Sequence, residues 1–487
     1  MNYRNLLNSK IIKIGLFLII LLSAFVVRLY RINFPLADWH SWRQADTSAV
    51  SRNFVKYGVD LLHPQFDDLS NVPSGKENPN GYRFVEFPIY NLMQFSFYKI
   101  FPIWGIEVAG RLVSILCTIA TTCFLFLIVK KHSGFLTAIL TALFFSFLPY
   151  SIYYGRVVLP EPLMLTVSTG MIYFFDLYSE DNQKKTTQSI WLTLFFIFSA
   201  ATFLVKPYAA IVILPIAYLA ISRWKFNFKK YILPLIVGII SVLPFIWWRK
   251  WMSQYPEGIP AFDWLFNKDN VRFKGAFFYW IFAERIGKLI LGYWGLILLS
   301  FGIVIKPLKD EGLFYFSWLL GVILYFFIIA GGNVQHDYYQ ILTLPIIGIF
   351  LGKGASFLII NKVMNKIASF SLLLVTVIFV LSFSWYQVRD YFNINNQTII
   401  DAGQEVNRIV PSDAKVIAPY SGDTAFLYQT NRQGWPVGIE IDKMIKFGAQ
   451  YYVNFNFGPE TDWLESKYCV MEKTANFVII DLKSQCQ

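Results

Sequence analysis

Asp46 stands in the stretch HSWRQADTSAVSRNF, His40 to Phe54, flanked by Arg43 and Arg52. Further on, Glu86 stands in RFVEFPIYNLMQF, Arg83 to Phe95. Two carboxylates in one polar segment can take the proton of an incoming hydroxyl, or hold a divalent cation between them. A second set follows: Arg156 and Glu161 in YSIYYGRVVLPEPLML, Lys206 in FLVKPYAA, and His336, Asp337, Tyr338 and Tyr339 in GGNVQHDYYQILTLP. Each has an ordinary reading. Pro160 and Glu161 suit a helix start, tyrosines form membrane-interface belts, and a lysine at a span end snorkels. Lysine is disfavoured at outer turns, however, and a histidine beside Asp337 is no ordinary belt residue. Lys206 and His336 therefore point to anion binding.

The element that must position Asp46 is a helix. Ser41 followed by Gln44 has the form of a capping box, which predicts a helix beginning at Trp42. On it Trp42, Ala45, Ala49 and Asn53 share one face, with Asp46 on their side, while Gln44, Ser48 and Ser51 share the opposite one. An acid on an apolar stripe needs a partner, because burying a lone charge is costly. Arg43, one turn before it, is the expected partner.

The rest of the chain is greasy. Of 487 residues, 55% are hydrophobic, 18% aromatic and 15% charged, and the mean hydropathy is +0.46. These values exclude an ordinary soluble enzyme and fit a polytopic membrane protein. Apolar runs at roughly 12–30, 106–129, 134–150, 159–178, 190–205, 208–222, 231–249, 285–305, 312–330, 338–357 and 367–386 predict about eleven spans. The two runs flanking Lys206 are short enough to read as a tilted or re-entrant hairpin. The first run follows basic residues and no A-x-A-like site closes it, which predicts an uncleaved anchor.

The net charge of +12 falls in short clusters between the spans rather than in one patch, which argues against nucleic-acid binding. With the N-terminus inside, the clusters at 130–132, 223–230, 306–311 and 361–366 and the near-neutral 179–189 all face the cytoplasm. Residues 31–105, roughly 249–284, the turn around His336 and the C-terminal tail then lie outside, so the candidate groups converge on one face of the membrane. The expected domains are a transmembrane catalytic domain over 1–386, with residues 31–105 as its first extracytoplasmic loop, and a soluble domain over 387–487. In the latter, DAGQEVNRIV reads as helix and KVIA, AQYYVNF and NFVIIDL as strands, a small α/β domain. Cys469 and Cys486 lie in this tail and can pair if it is outside the cytoplasm.

These features together resemble one superfamily. A first span, a large outer loop with an acid-bearing helix ending in Arg52-Asn53-Phe54, Glu86-Phe87-Pro88, and Pro160-Glu161-Pro162 opening the fourth span are similar to the GT-C fold membrane glycosyltransferases. Among these the likeness is to the bacterial aminoarabinose transferases and protein O-mannosyltransferases, over about residues 10–360. The resemblance implies an inverting transfer of a sugar, hexose or pentose, from a polyprenyl-phosphate donor to an acceptor hydroxyl of a lipid, glycan or protein. The setting it implies is the outer face of a bacterial cytoplasmic membrane, in lipopolysaccharide or protein glycosylation of the cell envelope.

Glu86-Phe87-Pro88 stands where the family has Glu-Lys-Pro, so Phe87 replaces a lysine. Matching Arg52-Asn53-Phe54 puts Arg43-Gln44 under the family's Asp-Glu pair and Asp46 about one turn later. Asp46 is thus the expected catalytic carboxylate, with Glu86 assisting and Asp38 in reserve. Lys206 resembles the lysine of a Thr-Lys-Gly type turn that meets the donor phosphate. The implied phosphate site is Lys206, His336, Arg156 and Arg43, where cations offset charge developing on the leaving group. Asp38, His40, Glu161, Asp337, Tyr338 and Tyr339 are the implied substrate contacts. Membrane lipid and the lipid-linked sugar are the expected partners, and a divalent metal on Asp46 and Glu86 is the one cofactor considered. The alternative function is a transporter or flippase of lipid-linked sugars, against which stand charged groups at span ends and the lack of an inverted repeat. A structural scaffold gives no account of Asp46 on an apolar helical face.

Overall fold

The computed structural model describes residues 9–180, 184–308 and 310–486. Residues 181–183 and Lys309, which belong to two of the clusters read as cytoplasmic, lie outside the described residues. All eleven apolar runs are helical. Among the described residues seven helices are long and apolar enough to cross a membrane, and an eighth is added if one bent pair counts as a single span. The run at 134–150 forms the shorter helix Phe135–Phe147, and that at 312–330 forms Phe314–Ile328. The chain is a multi-pass membrane protein of mainly helical fold carrying a small sheet near its C-terminus.

Two runs depart from the expected form. The pair flanking Lys206 is no short hairpin: Lys185–Val205 has 21 residues and Pro207–Trp224 has 18. The run at 285–305 is broken. Its two halves, Gly275–Ile290 and Gly295–Val304, meet at 113°. Between them Gly292 (φ 51°) and Tyr293 (φ 60°) are left-handed. A Cβ at Gly292 would come within 2.7 Å of the Ser384 backbone nitrogen, so the turn needs glycine there.

The chain divides into two compact units. The first comprises residues 1–32, 112–247 and 262–390 and holds most of the apolar helices. Its first helix, α1 (Lys10–Arg28), is largely exposed along its apolar length, as a lipid-facing span should be. Arg28 at its end is fully buried and donates to the carbonyls of Ala24, Ser146 and Ser151 at 2.8 to 3.2 Å. Its bonds to the Ser146 and Ser151 carbonyls tie the end of α1 to the segments that bear them.

The second unit comprises residues 33–111, 248–261 and 391–487. It contains α2 (Ser41–Tyr57) and α3 (Ile89–Ile100). It also holds a five-stranded sheet of β1 (Lys415–Ile417), β2 (Gly434–Trp435), β3 (Ala449–Asn454), β4 (Cys469–Lys473) and β5 (Val478–Asp481). The order is β2-β1-β3-β5-β4. β1 lies parallel to β2 and β3, while β5 runs antiparallel to β3 and β4. The segments read as helix and strands in the tail form the helix Gln397–Ile409 and β1, β3 and β5. Cys469 and Cys486 are joined by a disulfide.

The edge of this sheet binds the first loop. Leu69 N donates to Gly434 O at 2.8 Å, and Gly434 N donates to Asp67 O at 2.9 Å. A Cβ at Gly434 would lie 1.7 Å from Val416 O, so glycine is what lets backbone approach on both sides. The loop and the C-terminal segment are therefore one packed body.

Candidate functional site

In the second unit, α2 begins at Ser41, with His40 before it in the left-handed region (φ 55°). The expected capping box is not formed. Gln44 Nε2 instead donates to Asp38 Oδ1 at 2.6 Å and to Trp39 O at 3.1 Å. Nor is α2 amphipathic, for polar residues on every side are buried, among them Arg43, Gln44, Asp46, Ser48, Ser51 and Asn53. The serines and the Thr47 carbonyl are bonded by side chains of α3 and the C-terminal segment. Asn91 Nδ2 donates to Thr47 O, Ser51 Oγ to Gln94 Oε1, Gln94 Nε2 to Ser48 Oγ, and Tyr428 Oη to Ser48 Oγ, all within 3.0 Å.

The expected Asp46–Arg43 pair is replaced by two crossed pairs. Arg83 Nη2 is 2.8 Å from Asp46 Oδ2. Arg43 Nη2 donates to both oxygens of Glu86 at 2.9 Å. The loop folds back on itself: Tyr82 forms an antiparallel bridge with Gln65, next to the segment bearing Arg83 and Glu86. Thr424 Oγ1 donates to Asp46 Oδ1 at 2.6 Å. Thr47, Arg83, Glu86 and Asn91 line a narrow cleft of this unit.

Burial pushes the Asp46 carboxyl up from the usual range, against the pull of Arg83, the Thr424 hydrogen bond and Arg43. Burial likewise lowers Arg83, against the pull of Asp46. Two more carboxyls feel the charge of Asp46. Asp68, 1% exposed, is pushed up to about 7, chiefly by burial. Its Oδ1 accepts from Ser70 N at 2.8 Å, and its Oδ2 accepts no hydrogen bond among the described residues. Asp423 is raised to about 6, again chiefly by burial. Arg52, farther along α2, pairs with Asp67 and lies over the Tyr428 ring.

In the first unit, Lys206 ends the helix Lys185–Val205 in extended conformation, as a residue before proline must. Its Nζ lies 3.2 Å from Oε1 of Glu161, a fully buried side chain at the start of the helix Glu161–Tyr178. Neither Glu161 oxygen accepts a hydrogen bond among the described residues, and the buried Tyr208 hydroxyl also lacks one. Tyr208 lies 5.8 Å from Tyr339, which stacks on Tyr338, which in turn stacks on His336. Tyr338 and Tyr339 are buried rather than set in a lipid-facing belt. Asp337 accepts hydrogen bonds from Tyr154 at its carboxylate and from Tyr150 at its carbonyl. Arg156 donates to the carbonyls of Tyr30 at 2.7 Å and Arg31 at 3.2 Å, which ties down the chain leaving α1.

The structure thus brings Asp46, Arg43 and Glu86 together with Arg83 and Thr424, and sets Asp38 and His40 at the head of the same helix. It joins Lys206 with Glu161 and gathers His336, Tyr338 and Tyr339 near Tyr208. Sequence reasoning missed Arg83, Thr424 and Tyr208. Arg83 opens the motif that supplied Glu86, and a basic residue there was the available signal. Among the described residues no group of three or more His, Cys, Asp or Glu is gathered to hold a metal ion. Each carboxylate considered for that purpose already carries a guanidinium.

Residues 86–248 match the family model described as dolichyl-phosphate-mannose-protein mannosyltransferase. No curated protein matches the chain in sequence. Among solved structures, ArnT from Cupriavidus metallidurans bound to undecaprenyl phosphate aligns with a TM-score of 0.68 at 13% identity, covering 98% of this chain and 100% of that one. The Archaeoglobus fulgidus oligosaccharyltransferase aligns with a TM-score of 0.57 at 10% identity, over 89% of this chain and 67% of its own. The mycobacterial arabinofuranosyltransferase AftD aligns at 0.56 and 13% identity, over 96% of this chain and 41% of its own.

Proposed function

We propose that this chain, whose fold is that of the GT-C glycosyltransferases, is an inverting transferase using a polyprenyl-phosphate sugar. It passes the sugar to an acceptor hydroxyl on the outer face of a bacterial cytoplasmic membrane, with its N-terminus inside and its C-terminal segment outside. The observation that carries the reading is the buried Asp46 carboxylate, held at Oδ2 by Arg83 and at Oδ1 by Thr424.

Burial favours the neutral acid of Asp46, and Arg83 pulls the other way, towards the ionised form. One donor on each oxygen leaves other lone pairs to accept the proton of the acceptor hydroxyl. As that oxygen attacks the anomeric carbon, the bond from that carbon to the phosphate oxygen breaks. The lipid phosphate leaves with the electron pair, and the configuration inverts. General-base help of this kind is worth about 10²–10⁴-fold. Lys206 and His336 hold the phosphate, where preorganised positive groups offset the growing charge. Glu161 and the Tyr208 hydroxyl, both without hydrogen bonds among the described residues, then gain partners in the bound donor. An apolar cavity of about 380 Å³ in the first unit, lined by Phe175, Phe195, Ile216, Trp224, Leu235 and Val242 among others, supports a polyprenyl tail. Glu86 is neutralised by Arg43 and assists by orienting the segment that carries Arg83. A cation on Asp46 and Glu86 would have to displace both guanidinium groups.

The test is to incubate the purified chain with undecaprenyl-phosphate mannose, glucose and arabinose together with candidate lipid, glycan and protein acceptors, and to measure free undecaprenyl phosphate. Consumption of at least one donor is expected. A protein that consumes none, yet moves these lipids across proteoliposomes, is the transporter instead.

A further inference from the structure

The C-terminal segment enters the site through one short stretch. After β1 the chain turns through Ser421 and Gly422, both left-handed, and Asp423 Oδ1 accepts from Ala425 N at 2.7 Å. This sets Thr424 at the head of the short helix Ala425–Gln429. From there the segment runs parallel to α2. Thr424 meets Asp46, Tyr428 meets Ser48 and Arg52, and Asn431 O accepts from Lys56 Nζ at 2.9 Å. Below it, Gly434 is bonded on both sides of Asp68 to the first loop. The register between the two segments is therefore fixed at four places over a stretch of about ten residues.

We propose that Thr424 is a positioning residue for Asp46, so that the C-terminal domain is a working part of the catalytic site rather than an appendage to it. The inference rests on the reading of Asp46 as the base. A carboxylate held by Arg83 alone can swing about its Cβ–Cγ bond. A second donor on the other oxygen fixes the plane of the group, and with it the direction of the remaining lone pairs. The hydroxyl is 7% exposed as part of its residue and 2.6 Å from its acceptor, so the bond is dry and short. Thr424 Oγ1 also lies 3.2 Å from Trp42 O. One hydroxyl proton serves one acceptor at a time, and the ionised carboxylate is the stronger of the two. When Asp46 takes up the acceptor's proton it loses its charge, and the Thr424 proton becomes free to turn to Trp42 O. The hydroxyl thus responds to the protonation state of the base.

The test compares Thr424→Val, which keeps the shape without the hydroxyl, with Thr424→Ser, which keeps the hydroxyl, and with Asp46→Asn. All are made in the full-length chain and assayed with the undecaprenyl-phosphate sugar that the wild type consumes. A hydrogen bond to a charged group is worth about 1.5–3 kcal/mol, so kcat of Thr424→Val should fall roughly ten- to a hundredfold. KM for the lipid donor should stay unchanged. Losing a donor to the ionised carboxylate raises the pKa of Asp46, so the acidic limb of the pH–rate profile should move to higher pH. Thr424→Ser should restore both rate and profile, which a purely structural role would not require. Should Thr424→Val fail to fold, Thr424→Ala supplies the hydroxyl-free variant for the same comparison. Wild-type kcat and an unmoved profile in the hydroxyl-free variant, with Asp46→Asn inactive, overturn the role of Thr424 and leave that of Asp46 standing. Full activity in Asp46→Asn removes the premise itself.

Discussion

Arg83 and Asp46 form a buried ion pair at 2.8 Å, both side chains being less than one-tenth exposed. Removing one partner of such a pair strands the other charge and typically costs about 3–5 kcal/mol. Arg83→Gln should therefore lower both the melting temperature and the transfer rate. Arg83→Lys keeps the charge but not the planar fork, and should recover stability more fully than rate. Thermal unfolding beside steady-state kinetics reads both. Equal loss in the two variants on both measures would mean that a positive charge at position 83 without the planar fork contributes nothing.

Lys206 offers a similar test with a complication. Its ammonium group is 3.2 Å from Glu161, which is fully buried. Lys206→Met alone should destabilise the protein by leaving that carboxylate without its cation. The double variant Lys206→Met with Glu161→Gln should regain stability while donor affinity stays low. Undecaprenyl phosphate binding measured on the two proteins separates these effects. Unchanged affinity in the double variant, and in His336→Ala, would mean the phosphate is held elsewhere.

Asp68 makes a pH prediction. Its folded value is about 7, well above the usual range near 3.8, because burial disfavours the charged form. A raised carboxyl destabilises: the penalty is absent below the unfolded value, grows between about 4 and 7, and is complete above the folded value. Asp68→Asn should accordingly raise the melting temperature at pH 8 and leave it nearly unchanged at pH 4. An equal effect at both pH values would show that Asp68 is not held neutral.

The disulfide between Cys469 and Cys486 fits a C-terminal segment outside the cytoplasm. A tag after Gln487 should be accessible from outside intact cells, and one in the 223–230 loop should not. Cys469 and Cys486 should react with maleimide only after reduction. A cytoplasmic C-terminal tag would reverse the proposed orientation.

The helices were legible because apolar runs of span length leave few alternatives, and the tail's strands because short runs rich in Val, Ile and Tyr stand between polar stretches. The break at Gly292 and Tyr293 was not read, although GYWG carries two glycines within a few residues of it. Asp46 stood out as an acid in a greasy chain, but its partners did not. Arg43 is the nearest cation along the helix, and a local rule chose it. Arg83 is the partner instead, in a loop that folds back at the Gln65–Tyr82 bridge, a tertiary event with no periodic signal. Thr424, 378 residues away, leaves no trace in the sequence around Asp46. Its hydroxyl is an ordinary helix-start residue until the segment docks.

The most direct test of the account follows one sugar through the reaction. A β-linked undecaprenyl-phosphate sugar from the donor panel is given to the wild type and to Asp46→Asn, with Asp38→Asn as control, and the product's anomeric configuration is read by NMR. The wild type and Asp38→Asn should give the α-linked product at similar rates. Asp46→Asn should bind the donor and give none. A β-linked product from the wild type, or normal turnover by Asp46→Asn, would contradict an inverting transfer with Asp46 as its base.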